Sequence, residues 1–181
     1  MKKVEHGKTF DRNAANPPAF EIFHNTVTEG YPKHWHTAIE IIMPTRGEYE
    51  VVVGKDSYNL KEGDIIMINS GVVHGMRFVS QGERIVMLVE PGCVENQEEM
   101  ETIFLRLPAI YFKKEDEEDP FYLFLRSQIL ELVREYDNEG AVMTHRICTG
   151  LKELFSEFGR KGFSDANAQN TFGAMKQQEY I

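Results

Sequence analysis

The stretch His34-Trp35-His36-Thr37-Ala38-Ile39-Glu40, which closes at Gly47, is the most informative part of the sequence. In an extended chain, successive side chains alternate between two faces, so His34, His36 and Glu40 can share one side. Two imidazoles and a carboxylate on one face form a natural ligand set for a divalent first-row transition metal. The stretch therefore predicts a β-strand that carries a polar or metal-binding site.

A later segment supplies a fourth candidate ligand. It begins with a Gly-Asp turn signal and ends in Asn69-Ser70-Gly71-Val72-Val73-His74. A tight turn at Gly71 would bring His74 back toward the first set. Met76 and Phe78 follow His74 at alternate positions, so in a strand they lie on the same face as His74. They are candidates for an apolar pocket wall, with core packing as the alternative.

Short β-type runs fill the region between Phe20 and Pro91. They are rich in Ile, Val, Tyr and Phe, and turn residues separate them. The clearest runs are 38–43, 49–53, 64–68 and 84–89. Close strand spacing without intervening helices favours an antiparallel sandwich or barrel.

The pattern becomes helical after Pro91-Gly92. A short helix is predicted over residues 95–105. A long helix is predicted to end near Tyr136, with Asp119 as its N-cap and Pro120 as its first residue. A second long helix is predicted over residues 141–158. Both helices carry apolar stripes, which either pack on the barrel or leave apolar surface for a two-fold dimer.

Composition narrows the class of protein. The chain has 181 residues, 41% of them hydrophobic, and a formal net charge of −9, which does not suit a complete DNA-reading module. The 18-residue apolar run that a membrane span needs is not present, and the N-terminal residues have no apolar signal core. The two cysteines, Cys93 and Cys148, are expected to be reduced thiols in a cytoplasmic protein.

The histidine-rich stretch resembles the first motif of the cupin family. Two histidines separated by one residue, a glutamate four residues after the second and a glycine seven after that fit the family spacing without a gap. Gly63, Gly71 and His74 are similar to the second motif, although Asn69 stands where the family usually has proline and Phe78 where it often has asparagine. The resemblance implies a mainly β fold, a cupin-type antiparallel barrel (a double-stranded β-helix) followed by two α-helices. It also implies that the metal ligands of metallo-cupins correspond to His34, His36, Glu40 and His74.

The order of elements resembles the N-terminal domains of AraC-type transcription regulators. The resemblance implies an N-terminal arm (residues 1–19), a ligand-binding cupin barrel (20–110), a helical dimerisation region (111–163), and a linker with the start of a missing DNA-binding domain (164–181). DNA would be bound through that missing helix-turn-helix domain, and this chain alone would not bind DNA.

Two functions follow as expectations. The first is a non-enzymatic, dimeric sensor of a small-molecule effector, with a ligand pocket formed by His34, His36, Glu40, His74, Met76 and Phe78. The same four polar residues would hold one divalent transition metal (Zn, Ni, Fe or Mn), or else the pocket uses no cofactor and they contact an organic ligand directly. The alternative is a stand-alone metal-dependent cupin enzyme of the dioxygenase or isomerase type.

Overall fold

The computed structural model describes residues 19–26, 30–93, 108–114, 118–138 and 140–161. These residues form nine β-strands, a short 3₁₀ turn and two α-helices. The strands are β1 (Phe20–Asn25), β2 (Tyr31–His34), β3 (Ile39–Arg46), β4 (Tyr49–Val53), β5 (Asp56–Leu60), β6 (Ile65–Ile68), β7 (His74–Phe78), β8 (Glu83–Val89) and β9 (Ala109–Phe112). The 3₁₀ turn is Pro91–Cys93, and the helices are α1 (Pro120–Asp137) and α2 (Met143–Lys161).

Two antiparallel sheets build the barrel that the strand pattern predicts. The five-stranded sheet has the order β1-β8-β3-β6-β9, and the four-stranded sheet has the order β2-β7-β4-β5. Their facing side chains form an apolar barrel interior. This interior consists of Ile42, Tyr49, Val51, Val53, Tyr58, Leu60, Ile66, Ile68, Met76 and Ala109. The mainly β fold with two following helices is thus confirmed.

The opposite face of the five-stranded sheet is covered by the two helices. Alternate residues of the same strands, such as Ile39 and Ile41 on β3, point to this second core and meet the helix stripes. The α2 stripe is fully buried there: Ile147, Leu151, Leu154, Phe155 and Phe158 are each 0% exposed. The surplus apolar helix surface that suggested a dimer is therefore used within the chain, because the stripe packs on its own sheet.

The first long helix begins as the sequence predicts. The Asp119 side chain accepts a hydrogen bond from the Phe121 amide at 2.9 Å, and Pro120 occupies the first helical position. The Tyr122 hydroxyl donates to the Gly63 carbonyl at 2.8 Å, which ties α1 to a barrel turn. Neither helix among the described residues is long and apolar enough to span a bilayer.

Two features of the strand order differ from the sequence prediction. Residues 34–40 are not one continuous strand, since β2 ends at His34 and β3 begins at Ile39. Strand β9, which the sequence analysis did not predict, pairs with β6 in the register Ile65 to Phe112. The predicted helix over 95–105, most of the acidic run at 115–119 and the segment 164–181 lie outside the described residues.

Candidate metal centre

Three separate elements place the four candidate ligands. His34 is the last residue of β2, and it lies directly opposite His74, the first residue of β7, in the four-stranded sheet. Glu40 lies on β3 in the other sheet, opposite Leu88 of β8. His36 lies in the bend between β2 and β3. The site therefore spans the gap between the two sheets at one end of the barrel.

The bend corrects the prediction of a single alternating strand. His34 and Glu40 belong to different sheets, so the chain must cross between sheets within the residues that separate them. The Gly71 amide donates to the His36 carbonyl at 2.8 Å, which fastens the crossing segment to the turn before His74. Gly71 has φ of +73°, a conformation that favours glycine, so the tight turn predicted there is present.

The side chains of His34, His36, Glu40 and His74 converge to form one cluster. One ligand atom from each residue can be chosen such that all four lie within 4.8 Å of one another. The His34 and His74 rings are 4.5 Å apart between centroids, and the His36 and His74 rings are 4.9 Å apart. His36, Glu40 and His74 are buried, whereas His34 is exposed. The cluster is therefore closed on the barrel side and open at His34.

The hydrogen bonds of the three histidines fix which ring nitrogen faces the cluster. The Nδ1 atoms of His34, His36 and His74 lie 2.9, 2.9 and 2.8 Å from the carbonyl oxygens of Pro32, Ala38 and Val72. A carbonyl oxygen only accepts, so each Nδ1 carries a proton. In the neutral ring the lone pair is then on Nε2, the atom that would ligate a metal.

The Nε2 atoms of His36 and His74 both meet the same carboxylate oxygen. Each lies 2.9 Å from Glu40 Oε2. Since their Nδ1 atoms already hold a proton, neutral rings would direct two lone pairs at an acceptor oxygen. The contact is favourable only when the rings are doubly protonated or when a cation lies among the three atoms. The arrangement of these atoms is therefore suited to hold a positive charge, either as protons on the rings or as a bound cation.

The electrostatics of Glu40 agree with this conclusion. Burial alone would raise the pKa of its carboxyl, but hydrogen bonds from His36 and His74 outweigh burial and lower the pKa from 4.5 to about 2. Burial also opposes protonation of His74, yet the hydrogen bond and attraction of Glu40 raise the pKa of His74 above 6.5. Burial lowers the pKa of His34 below 6.5. Glu40 is thus a carboxylate at any physiological pH.

These donors fit a divalent transition metal. Three neutral imidazole nitrogens and one carboxylate suit Zn, Ni, Fe or Mn, whereas Ca and Mg prefer shells of oxygen. Ligands about 2.0–2.2 Å from one ion lie about 2.8–3.6 Å from each other at tetrahedral or octahedral angles. The 2.9 Å contacts of Glu40 fall within that spacing. The His/Glu cluster can hold such an ion.

The remaining predicted pocket residues lie farther along β7. Met76 is 6% exposed and packs in the barrel interior, and Phe78 at the end of the strand is 37% exposed. Both also line an open groove of about 420 Å³ beside β2. Trp35, between two candidate ligands, is 65% exposed and stands at the rim of the cluster.

Gly75 is a site residue that the sequence analysis did not identify. A Cβ at this position would lie 3.1 Å from the Lys33 amide nitrogen and 3.1 Å from the Tyr31 carbonyl oxygen. Glycine therefore allows β2, which carries His34, to approach β7, which carries His74. The only signal in the sequence is its position directly after His74.

Comparison with known proteins agrees with this architecture. A family model described as a cupin domain matches residues 25–90, which include all four clustered residues. A search of curated protein sequences gave no significant match.

A search of solved structures found proteins that are similar to parts of this chain. Apo ToxT of Vibrio cholerae, a point variant, is 12% identical with a TM-score of 0.53, over 81% of this chain and 58% of that chain. Wild-type ToxT with bound unsaturated fatty acid is 13% identical with a TM-score of 0.49, over 81% of this chain and 55% of that chain. A variant of Bacillus subtilis oxalate decarboxylase is 19% identical with a TM-score of 0.36, over 40% of this chain and 21% of that chain.

The chain thus spans a little over half the length of ToxT, and at these identities the likeness concerns the fold alone. The part of the chain that holds His34, His36, Glu40 and His74 matches the family model of the cupin domain, and it lies in a mainly β barrel that two helices follow.

Proposed function

We propose that this chain is the small-molecule-sensing and dimerisation domain of an AraC-type bacterial transcription regulator that acts in the cytoplasm. The effector would bind at the end of the barrel where His34, His36, Glu40 and His74 converge, with Met76 and Phe78 along the adjoining wall. The observation that carries the proposal is the position of the cluster. It lies between the two sheets, and its carboxylate, Glu40, is on the inner face of the sheet whose outer face is covered by two helices.

The fold likeness to apo ToxT, an AraC-family regulator, supports this choice. The aligned part covers 81% of this chain, so it includes more than the 66 residues that the cupin family model matches. The alignment therefore extends beyond the residues that the family model matches, and in our proposal the helical layer of this chain transmits the state of the site.

Strand β3 provides a physical path for that transmission. Glu40 faces the cluster, and its neighbours Ile39 and Ile41 face the helix layer from the opposite side of the strand. A ligand that shifts Glu40 must also shift these side chains, which pack in the same core as Ile147 and Leu151 of α2. The occupied and free states would then differ in helix position, which is the requirement for coupling two sites.

In the proposal a divalent transition metal (Zn, Ni, Fe or Mn) is held by His34, His36, Glu40 and His74. When bound, the metal would supply a positive Lewis-acid centre that attracts oxygen atoms of a ligand. The chain's own residues orient this centre, because the carbonyls of Pro32, Ala38 and Val72 fix the three rings.

Dimerisation is proposed through the helical layer, by surface other than the buried stripe. Leu123 of α1 and Val142, just before α2, are 50% and 55% exposed and remain available for a second copy of the chain. DNA would be bound through a separate helix-turn-helix domain, and this chain would not bind DNA on its own.

The second candidate function is a metal-dependent cupin enzyme of the dioxygenase or isomerase type. The openness of the cluster at His34 favours it, since a catalytic metal needs room for substrate. Such an enzyme would consume its ligand, whereas a sensor would release it unchanged.

Screening with a defined panel of small carboxylates, sugars and phenols distinguishes the two functions. Trp35, the single tryptophan of the chain, reports binding by its fluorescence because His34 and His36 flank it. A sensor gives saturable binding that His74→Ala abolishes, full recovery of the compound, and slower hydrogen exchange in α2. Conversion of the compound would support the enzyme. Binding that His74→Ala leaves intact would contradict both.

A further inference from the structure

The structure brings together two cysteines that are far apart in the sequence. Cys93 ends the 3₁₀ turn after β8, and Cys148 lies on α2. Their Sγ atoms are 3.3 Å apart although 55 positions separate the residues. Both thiols are free and only half-buried, so a small reagent can reach them from solvent.

The framework on each side holds the pair in place. The Cys93 amide donates to the Glu90 carbonyl at 2.9 Å, and the Glu90 amide donates to the Ala19 carbonyl at 2.9 Å, which fixes the turn against β1. On α2, the fully buried Ile147 next to Cys148 packs in the core behind the five-stranded sheet, and both cysteines pack against that core. The short distance is therefore a property of packed elements.

A metal site is the other chemistry that two adjacent thiols suggest. Within the described ranges, the one group of three or more candidate metal-ligating side chains is the His/Glu cluster at the barrel end. A structural zinc site needs four ligands. The cysteine pair does not meet that requirement, which leaves oxidation as its chemistry.

We propose that Cys93 and Cys148 form an oxidative modification site, where a hydroperoxide converts the two thiols into an intramolecular disulfide that ties the end of the barrel to α2. This inference does not depend on the metal centre or on the identity of the effector.

The reaction balances with hydrogen peroxide as the oxidant. Burial and the neighbouring Cys148 thiol raise the pKa of Cys93 to about 12, and nearby Lys152 only partly opposes this, so Cys93 is a poor first nucleophile. Cys148 releases its proton, the thiolate attacks one peroxide oxygen, and the O–O bond breaks to give a sulfenic acid and hydroxide, which takes up the released proton as the first water. Cys93 then attacks that sulfur as its thiol loses a proton, the S–O bond breaks, and a second water leaves. Two thiols are oxidised to one disulfide, and one peroxide is reduced to two waters.

The disulfide would act on the helical layer. Strand β8 leads directly into the turn of Cys93, and α2 contributes its whole apolar stripe to the core behind the five-stranded sheet. A covalent link between them closes a long loop of chain, which stabilises the fold mainly by restricting the unfolded state. In the folded protein, the same bond would hold the turn of Cys93 to α2 and so limit the movement of α2 relative to the barrel.

The test treats the purified full chain with hydrogen peroxide and follows thiol content, intact mass and migration on a non-reducing gel. We expect loss of both thiols, loss of two hydrogen atoms, a linked peptide pair containing residues 93 and 148, a monomeric band, and a higher Tm that dithiothreitol reverses. In Cys93→Ser, we expect a sulfenic acid on Cys148 that dimedone traps.

The matched control is Cys148→Ser, in which Cys93 should react slowly and give no internal cross-link. The proposal is overturned if the folded wild-type chain keeps both thiols under conditions that oxidise the Cys93→Ser variant. It is also overturned if the disulfide links two chains, or if linkage is as fast in urea as in the folded protein.

Discussion

Glu40 Oε2 lies 2.9 Å from His74 Nε2, although the two residues belong to different sheets and are 34 positions apart. The same oxygen lies 2.9 Å from His36 Nε2. Both rings hold their Nδ1 proton toward a backbone carbonyl, so the carboxylate and the two Nε2 atoms are arranged around a shared positive charge. Proton and metal ion therefore compete for the same position.

The carboxylate should be essential for metal binding. Glu40→Gln keeps the shape of the side chain and removes its charge. Substitution of a residue that contacts only a metal ligand typically lowers metal affinity by about 10–100-fold, and we expect a larger loss here. Glu50→Gln is the matched control, because Glu50 accepts hydrogen bonds from Ser57 and Arg77 on the outer surface. Titration with Zn²⁺ followed by calorimetry measures both. Equal affinities would show that Glu40 is not a ligand.

The metal-free protein should show histidines with opposite pKa shifts. His74 should titrate above 6.5, because the attraction of Glu40 outweighs burial, and His34 should titrate below 6.5, mainly because of burial. The His74–Glu40 pair then stabilises the metal-free fold fully between about pH 4.5 and 6.5. This contribution is lost as pH rises through the raised pKa of His74, and again as pH falls through the lowered pKa of Glu40. Proton NMR of the ring resonances, assigned with His34→Gln and His74→Gln, checks the order. The reverse order would contradict the hydrogen-bond pattern.

Metal binding should change the pH at which the histidines of the cluster take up protons. A ring that ligates through Nε2 cannot take a second proton until the metal leaves, so the titrations of the ligating histidines should move together to lower pH when Zn²⁺ is bound. Unchanged titration curves in the presence of saturating Zn²⁺ would mean that the ion binds elsewhere.

The α2 stripe should contribute to stability rather than to assembly. Phe155 is 0% exposed in the core between the helices and the five-stranded sheet, so Phe155→Ala should lower the free energy of unfolding by about 3–5 kcal/mol. Glu153→Ala, at an exposed position of the same helix, should change it by less than about 0.5 kcal/mol. Urea denaturation of both variants is the measurement. Loss of a dimer without loss of monomer stability in Phe155→Ala would contradict the packing described above.

Gly75 should control the approach of β2 to β7. In Gly75→Ala, the added Cβ meets backbone atoms of Tyr31 and Lys33 at 3.1 Å, so β2 must move outward and carry His34 with it. We expect weaker metal binding and a cost of about 1–3 kcal/mol from overpacking. Gly140→Ala, whose Cβ would meet nothing within 4 Å, is the control. Unchanged affinity in Gly75→Ala would show that His34 does not contribute.

The sequence was sufficient to name the four residues that the fold brings together, because motif spacing is local information. His34, His36 and Glu40 are close in the chain, and the resemblance to cupins supplied His74. The sequence was not sufficient to predict the course of the backbone between these residues. The alternating pattern implied one strand, whereas the chain crosses from one sheet to the other between His34 and Ile39. Such a crossing depends on which strands pair, and residue pattern alone does not specify pairing.

The same limit explains the other differences. The β9 strand is only four residues long, and its identity as a strand depends on its partner β6. The contact between Cys93 and Cys148 depends on how α2 packs on the sheet, which no spacing rule encodes. The α2 stripe was recognised in the sequence, but its partner surface became clear only from the fold.

The most direct test of the central claim is elemental analysis of untagged protein, purified without chelator or an affinity metal, beside the double variant His36→Ala, His74→Ala. Each preparation is then dialysed against equimolar Zn²⁺, Ni²⁺, Mn²⁺ and anaerobic Fe²⁺ and analysed again. We predict about one transition-metal ion per wild-type chain and a large loss in the variant, since three imidazoles and one carboxylate form a single site. Equal, near-zero metal in both proteins would contradict the metal centre and leave a polar pocket that binds its ligand directly.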